Sequence, residues 1–148
     1  MKVKKIVKYL LCLLPWFFSS LIFKVDTGYY NSLNLPFFAP PPIVFPIVWT
    51  LLYILISICI YKTIDEAESN YKVTLVINYL SNQLFTLFFF VLKNNLLAFI
   101  DCLIVLISSI SLYIIVNKFD SKSSKYLIPY IIWNLFASVL SLTIFVLN

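Results

Sequence analysis

Residues 96–116 read LLAFIDCLIVLISSISLYIIV. One charge interrupts 21 residues otherwise built from Leu, Ile, Val, Phe, Ala, Cys, Tyr and Ser. A hydrocarbon core roughly 30 Å thick is crossed by about 20 such residues in a helix. Four more runs of the same kind lie around this one: Ile6–Phe23, Ile43–Tyr61, Lys72–Leu92 and Tyr126–Leu147. All are continuous rather than alternating, so they read as helices and not as strands of a barrel. The remaining residues make short tails and connections. The expectation is an all-α polytopic membrane protein, with residues 1–148 forming one five-transmembrane-helix bundle and residues 24–42 a loop.

Composition leads to the same class. The chain is 62% hydrophobic and 11% charged, against about 25% charged in an ordinary soluble domain. Too few charges are present to coat a water-soluble or disordered chain. The basic tail with Lys2, Lys4, Lys5 and Lys8 ahead of an apolar run also fits a secretory signal. No clean small-x-small cleavage site follows it, so retention as the first helix is expected.

The net charge of +5 comes from eleven lysines against six acids. With five spans, nine lysines fall on the side of the N-terminus and only Lys24 and Lys93 on the other. Basic residues collect on the cytoplasmic side of membrane proteins. The expected orientation is therefore N-terminus inside and C-terminus outside. Lys-only basicity and short tails fit a bacterial plasma membrane. The lysines are dispersed, so no nucleic-acid partner is expected.

Chemistry has few sources here. His is absent, so imidazole acid–base catalysis and the usual His metal sites are excluded. Cys12, Cys59 and Cys102 all lie in apolar runs without a C-x-x-C spacing and read as filler. No phosphate loop or dinucleotide fingerprint occurs. No cofactor and no metal site are expected.

The loop KVDTGYYNSLNLPFFAPPP, Lys24–Pro42, holds the only glycine and four of the seven prolines. Proline stiffens such a segment, and Tyr29, Tyr30, Phe37 and Phe38 give it apolar area. It reads equally as a lid over the mouth of the bundle or as an aromatic anchor at headgroup depth. Within the spans, Trp49 and Tyr53 share a face. Asn78, Asn82, Phe85 and Phe89 form a second stripe, and Asp101, Ile104, Ser108 and Ser111 a third. Trp133, Ala137 and Ser141 form a fourth, with Leu140 beside them. Polar stripes should face the bundle interior. Asn78 and Asn82 suit either interhelical hydrogen bonds or a ligand, and Trp49 and Trp133 suit either the interior or a membrane belt. Asp101 is expected to play a structural part, pairing with Lys93 or capping a helix.

Several of these motifs, in order, resemble the translocator protein (TspO/MBR) family, also called tryptophan-rich sensory protein or peripheral-type benzodiazepine receptor. Tyr29-Tyr30, Leu33, Pro36, Pro40-Pro41, Val48-Trp49 and Leu52-Tyr53 match its W-Y-x-x-L-x-K-P-x-W-x-P-P and P-V-W-x-x-L-Y patterns. Asn82, Phe85, Phe89-Phe90 and Asp101 sit at the family's spacing for N-x-x-W, F-F and the fourth-helix Asp. LIPYIIWNLFASVL from Leu127 is similar to L-x-P-Y-x-x-W-x-x-F-A-x-x-L. There are departures. The family's first loop Trp is Tyr29 here, its loop Lys is Leu35, and two further Trp positions are Phe38 and Ile43. Its third-helix Trp is Phe85, the Pro before V-W has moved to Pro46, and a fifth-helix Asn is Ser141. The sterol-type motif of animal members is missing after Tyr130, which argues against a cholesterol-handling role.

The resemblance implies a five-helix bundle, often a homodimer, with a ligand pocket closed by the first loop. It implies binding of a porphyrin or another flat apolar small molecule by Tyr30, Pro40, Pro41, Trp49, Tyr53, Asn82, Phe85, Phe89, Trp133, Ala137 and Leu140. Trp49 and Trp133 match the tryptophans implicated in light-dependent porphyrin degradation. The implied function is a tetrapyrrole-binding membrane sensor, with photo-oxidative turnover as its enzymatic side. The competing class is a small-ligand transporter or regulatory membrane binding protein without turnover.

Overall fold

A computed structural model describes residues 2–148, with side chains from residue 3 onward. Five helices are long and apolar enough to cross a membrane: Val3–Ile22, Val44–Glu66, Ser69–Val91, Asn95–Phe119 and Ser121–Leu147. They are the first to fifth spans below. The described residues contain no strand. The second, fourth and fifth helices run several residues beyond the apolar stretches at one end, because polar ends such as Asp65, Glu66 and Ser121–Ser124 continue as helical turns.

The termini follow from local chemistry. Pro46 sits in the first turn of the second span, where a missing N–H costs nothing. The fourth span starts at Asn94, whose side chain accepts from the Leu97 N–H at 3.0 Å. The chain turns into that cap through Lys93, with φ of 50°. The Asp120 carboxylate accepts from the N–H groups of Lys122 and Ser123 and starts the fifth span. The third span ends in a π-turn, Leu87–Val91, closed by the Leu92 N–H donating to the Leu87 carbonyl at 2.8 Å.

The fourth span is the central rod, packed along the third and the fifth. The first span is not continuous. Pro15 lies in a 3₁₀ stretch, Leu14–Phe17, that separates Lys2–Leu13 from Phe18–Ile22. The part before the break packs on the second span, and the part after it on the third. Trp16, Ile56, Tyr71, Leu112 and Tyr130 belong to the core of the lysine-rich half. A second core at the other end joins Tyr30, Phe89, Ala98, Leu140 and Ile144. That end also carries the loop, which places it with Lys93 and Asn148.

The fourth-span stripe needs correction. Asp101 and Ser108 are buried, but Ile104 is 41% exposed and Ser111 is only half-buried. At 100° per residue Ile104 stands about 60° from Asp101 and about 40° from Ser108. Val105 takes its place inside.

Candidate functional site

The break in the first span creates free backbone groups, and the third span satisfies them. The Ser19 N–H donates to Gln83 Oε1 at 2.7 Å, and Gln83 Nε2 donates to the Trp16 carbonyl at 3.3 Å. The Tyr79 hydroxyl donates to the Pro15 carbonyl at 3.0 Å. These bonds let the chain turn Trp16 inward, where it is 2% exposed and stacks on Tyr53.

Asn78 and Asn82 divide the two roles open to them. Asn78 Nδ2 donates to the Val105 carbonyl at 3.1 Å and to Ser108 Oγ at 2.8 Å, and its Oδ1 accepts from the Tyr130 hydroxyl at 3.0 Å. It ties three spans together and does not line the cavity described next. Asn82 Oδ1 accepts from the Tyr53 hydroxyl at 2.9 Å, while its Nδ2 donates to Tyr130 at 3.3 Å. Asn82 therefore presents an already hydrogen-bonded amide to the hollow beside it.

That hollow lies between the two cores and has a volume of about 400 Å³, within the usual span of small-molecule sites. All five spans and the loop contribute to its wall. Nine of the eleven expected ligand residues line it: Tyr30, Trp49, Tyr53, Asn82, Phe85, Phe89, Trp133, Ala137 and Leu140. Pro40 and Pro41 do not, and Pro42 does. The physical reason is that Pro40 serves the loop itself, its carbonyl accepting from the Tyr30 hydroxyl at 3.0 Å. Trp49 and Trp133 both face the hollow, from the second and fifth spans, rather than forming a lipid belt. Trp49 leans on Tyr53 with ring centroids 5.5 Å apart, and Trp133 on Phe136 at 5.1 Å. Phe85 and Phe89 stack at 5.5 Å with their planes 11° apart.

No charged side chain lines the cavity among the described residues. Three polar atoms of its lining residues, Trp133 Nε1, Asn134 Nδ2 and Ser141 Oγ, are buried and unpaired. Asp101 lies outside it. Contrary to expectation Asp101 does not meet Lys93, which pairs with Asp26 at 3.2 Å. Asp101 is buried near Ser81, with one carboxyl oxygen unpaired. Cys102, expected to be filler, is a free thiol in the cavity wall.

The loop closes one end. Asp26 caps the short helix Thr27–Ser32 by accepting from the Tyr29 N–H at 2.9 Å. That bond, with the Lys93 ammonium, holds its carboxyl below the usual carboxylate value. The Tyr29 hydroxyl donates to Asn95 Oδ1 at 3.0 Å, and Lys93 sits over the Tyr29 ring. Asn34 and Asn148 exchange hydrogen bonds, the Asn34 N–H to Asn148 Oδ1 at 2.9 Å and Asn148 Nδ2 to the Asn34 carbonyl at 3.2 Å. The segment is thus folded over the bundle end, with Tyr30 inside the cavity wall and Phe37 turned fully outward.

Trp16, Gln83 and Phe45 escaped sequence reasoning. The one available signal was Pro15 inside an apolar run, since an interior proline breaks a helix and turns the following residue off its expected face.

A family model described as the TspO/MBR family matches residues 9–147. The chain belongs to the TspO/MBR family. Membrane protein YtaB of Bacillus subtilis is 40% identical over 131 residues, covering 86% of this chain and 84% of its own. Tryptophan-rich protein TspO of Bacillus cereus is 32% identical over all of this chain and 99% of its own length. The protein of the same name from Archaeoglobus fulgidus is 35% identical, again over all of this chain and 99% of its own. This TspO/MBR chain is an integral membrane protein with bacterial relatives, a five-helix member of a membrane sensor and binding family.

Proposed function

We propose that this TspO/MBR protein binds a tetrapyrrole of the protoporphyrin type in the aromatic cavity and promotes its light-dependent degradation. The observation that carries the reading is the meeting of Trp16, Trp49 and Trp133, all the tryptophans of the chain, around one uncharged hollow. A porphyrin is a flat π-rich disc, and offset or edge contacts with aromatic rings contribute roughly 0.5–1.5 kcal/mol each. With no cation in the wall, the apolar edge of the ring enters first and its carboxylates stay at the lid end. Asn82 and the unpaired Trp133 Nε1 meet polar atoms of the ring's periphery. Trp49 and Trp133 hold the disc and are the indoles in contact with it when it is excited. The light chemistry itself belongs to the ligand and dioxygen.

The test is illumination of the protein with protoporphyrin IX and of the double variant Trp49→Phe, Trp133→Phe. Loss of porphyrin absorbance should slow markedly in the variant while binding weakens by a smaller factor. An unchanged rate defeats the degradation reading and leaves binding without turnover. In that case uptake of labelled porphyrin into proteoliposomes in the dark separates a transporter from a sensor. The expected assembly is a homodimer in a bacterial plasma membrane with the N-terminus inside. Cross-linking in membranes and protease access at each face test those two points.

A further inference from the structure

The cavity has a second opening, and it faces lipid. Beyond the Pro15 break, Phe18–Ile22 packs on the third span rather than along the lid-side half of the second. The gap is bordered by Ser20 and Val25 on one side and by Pro46 and Thr50 on the other. All four are exposed and all four also line the cavity. Its inner edge is the edge-to-face contact of Phe17 with Tyr53 at 5.4 Å. Residues that are exposed outside and line a hollow inside mark a passage between the two. Ser20 lies in the last turn and Pro46 and Thr50 in the first two turns of apolar spans, and Val25 just beyond them, so the passage opens toward the acyl chains near their headgroup end.

The aqueous route is fastened by comparison. The lid is held to the bundle by Asp26–Lys93, by Tyr29 to Asn95 and by the Asn34–Asn148 pair, and Tyr30 to Pro40 braces it internally. A ligand coming from water must loosen several of these contacts, whereas the side opening needs none broken. Gln83 keeps that opening apart. Its two bonds to Ser19 and Trp16 fix the upper part of the first span against the third.

We propose that the cavity is loaded sideways, from the leaflet on the lid's side, through the slot between the first and second spans that Gln83 props open. The occupant it admits is an apolar molecule already dissolved in the bilayer, such as a flat ring or, in its absence, an acyl chain. Ser20 and Thr50 are the threshold. The inference goes beyond the tetrapyrrole reading by naming the phase from which the ligand comes.

The experiment places the protein in liposomes of phosphatidylcholine brominated at mid-chain and records tryptophan fluorescence. All three tryptophans line the cavity, so an acyl chain that enters quenches them. Wild type should be quenched strongly, and the double variant Ser20→Phe, Thr50→Phe should lose most of that quenching. Val76→Phe, on the exposed face of the third span, should not. Equal quenching in wild type and slot variant overturns the proposal, as does no quenching in wild type. A second arm uses stopped-flow binding of protoporphyrin IX from vesicles. The slot variant should slow both association and dissociation several-fold. Rates that respond to Asp26→Ala but not to the slot variant overturn it too. Should protoporphyrin fail to bind at all, the tetrapyrrole reading falls, while the brominated-lipid result still decides the slot.

Discussion

Trp16 and Tyr53 lie face to face, ring centroids 5.5 Å apart and planes 25° from parallel. They come from the first and second spans, and the pair closes the lysine-rich end of the cavity. Tyr53 is held in place by Asn82 on its hydroxyl and by Trp49 on its other flank. Trp16→Ala should lower stability by about 3–5 kcal/mol, the usual cost of removing a large buried aromatic. Trp16→Phe should cost less than half as much because it keeps a ring on Tyr53. Thermal unfolding in detergent reads both, and the Ala variant should also lose ligand affinity.

Asn78 and Asn82 should separate experimentally. Asn78 makes three bonds across three spans and lines no cavity. Hydrogen bonds between membrane helices average about 0.6 kcal/mol each, so Asn78→Leu should destabilise by about 2 kcal/mol with ligand affinity nearly intact. Asn82→Leu should weaken binding, since it removes the amide and releases the Tyr53 hydroxyl into the pocket. Denaturation curves and ligand titration on the same samples distinguish the two.

Gln83→Leu should leave the Ser19 N–H and the Trp16 carbonyl without partners. A buried backbone group so orphaned costs about 1–3 kcal/mol. The lost stability should be accompanied by faster hydrogen exchange at Ser19, read by mass spectrometry, and exchange in the fourth span should stay unchanged.

The lid should be sensitive to acid. Asp26 has a lowered pKa in the folded protein because the Tyr29 N–H and then Lys93 favour its charged form. A depressed carboxyl contributes its stabilisation in full above its unfolded value, about 4. That contribution fades as the pH falls through the lower folded value. Amide exchange at Tyr29 and Tyr30 should therefore rise below about pH 4 beyond the intrinsic pH effect, and Asp26→Asn should abolish the pH dependence.

Span number and helix type were legible because 21 residues broken by a single charge, and four runs like them, have few other solutions. The spacing of Trp49, Tyr53 and Asn82 was legible too, since ordinary helical periods carry those side chains to one side. What stayed hidden depends on departures from that period. Trp16 turns inward only because the helix fails at Pro15 and Gln83 repairs the break from 64 residues away in sequence. Pro42 lines the cavity in place of the expected Pro40 and Pro41 because bonds to loop backbone, such as Tyr30 to Pro40, leave no mark on composition. Ile104 was misplaced because a stripe drawn through two correct residues tolerates a third that lies a sixth of a turn away.

The wide turn at Leu87–Val91 has its own consequence for numbering. A five-residue turn carries one residue more than an α-turn, so Phe89 and Phe90, neighbours in the chain, both reach the cavity wall. A scan that samples every third or fourth position from Asn82 would therefore visit one phenylalanine and skip the other. The same surplus means that deleting a single residue here would re-phase only the last turn before Lys93 and leave the rest of the rod in register.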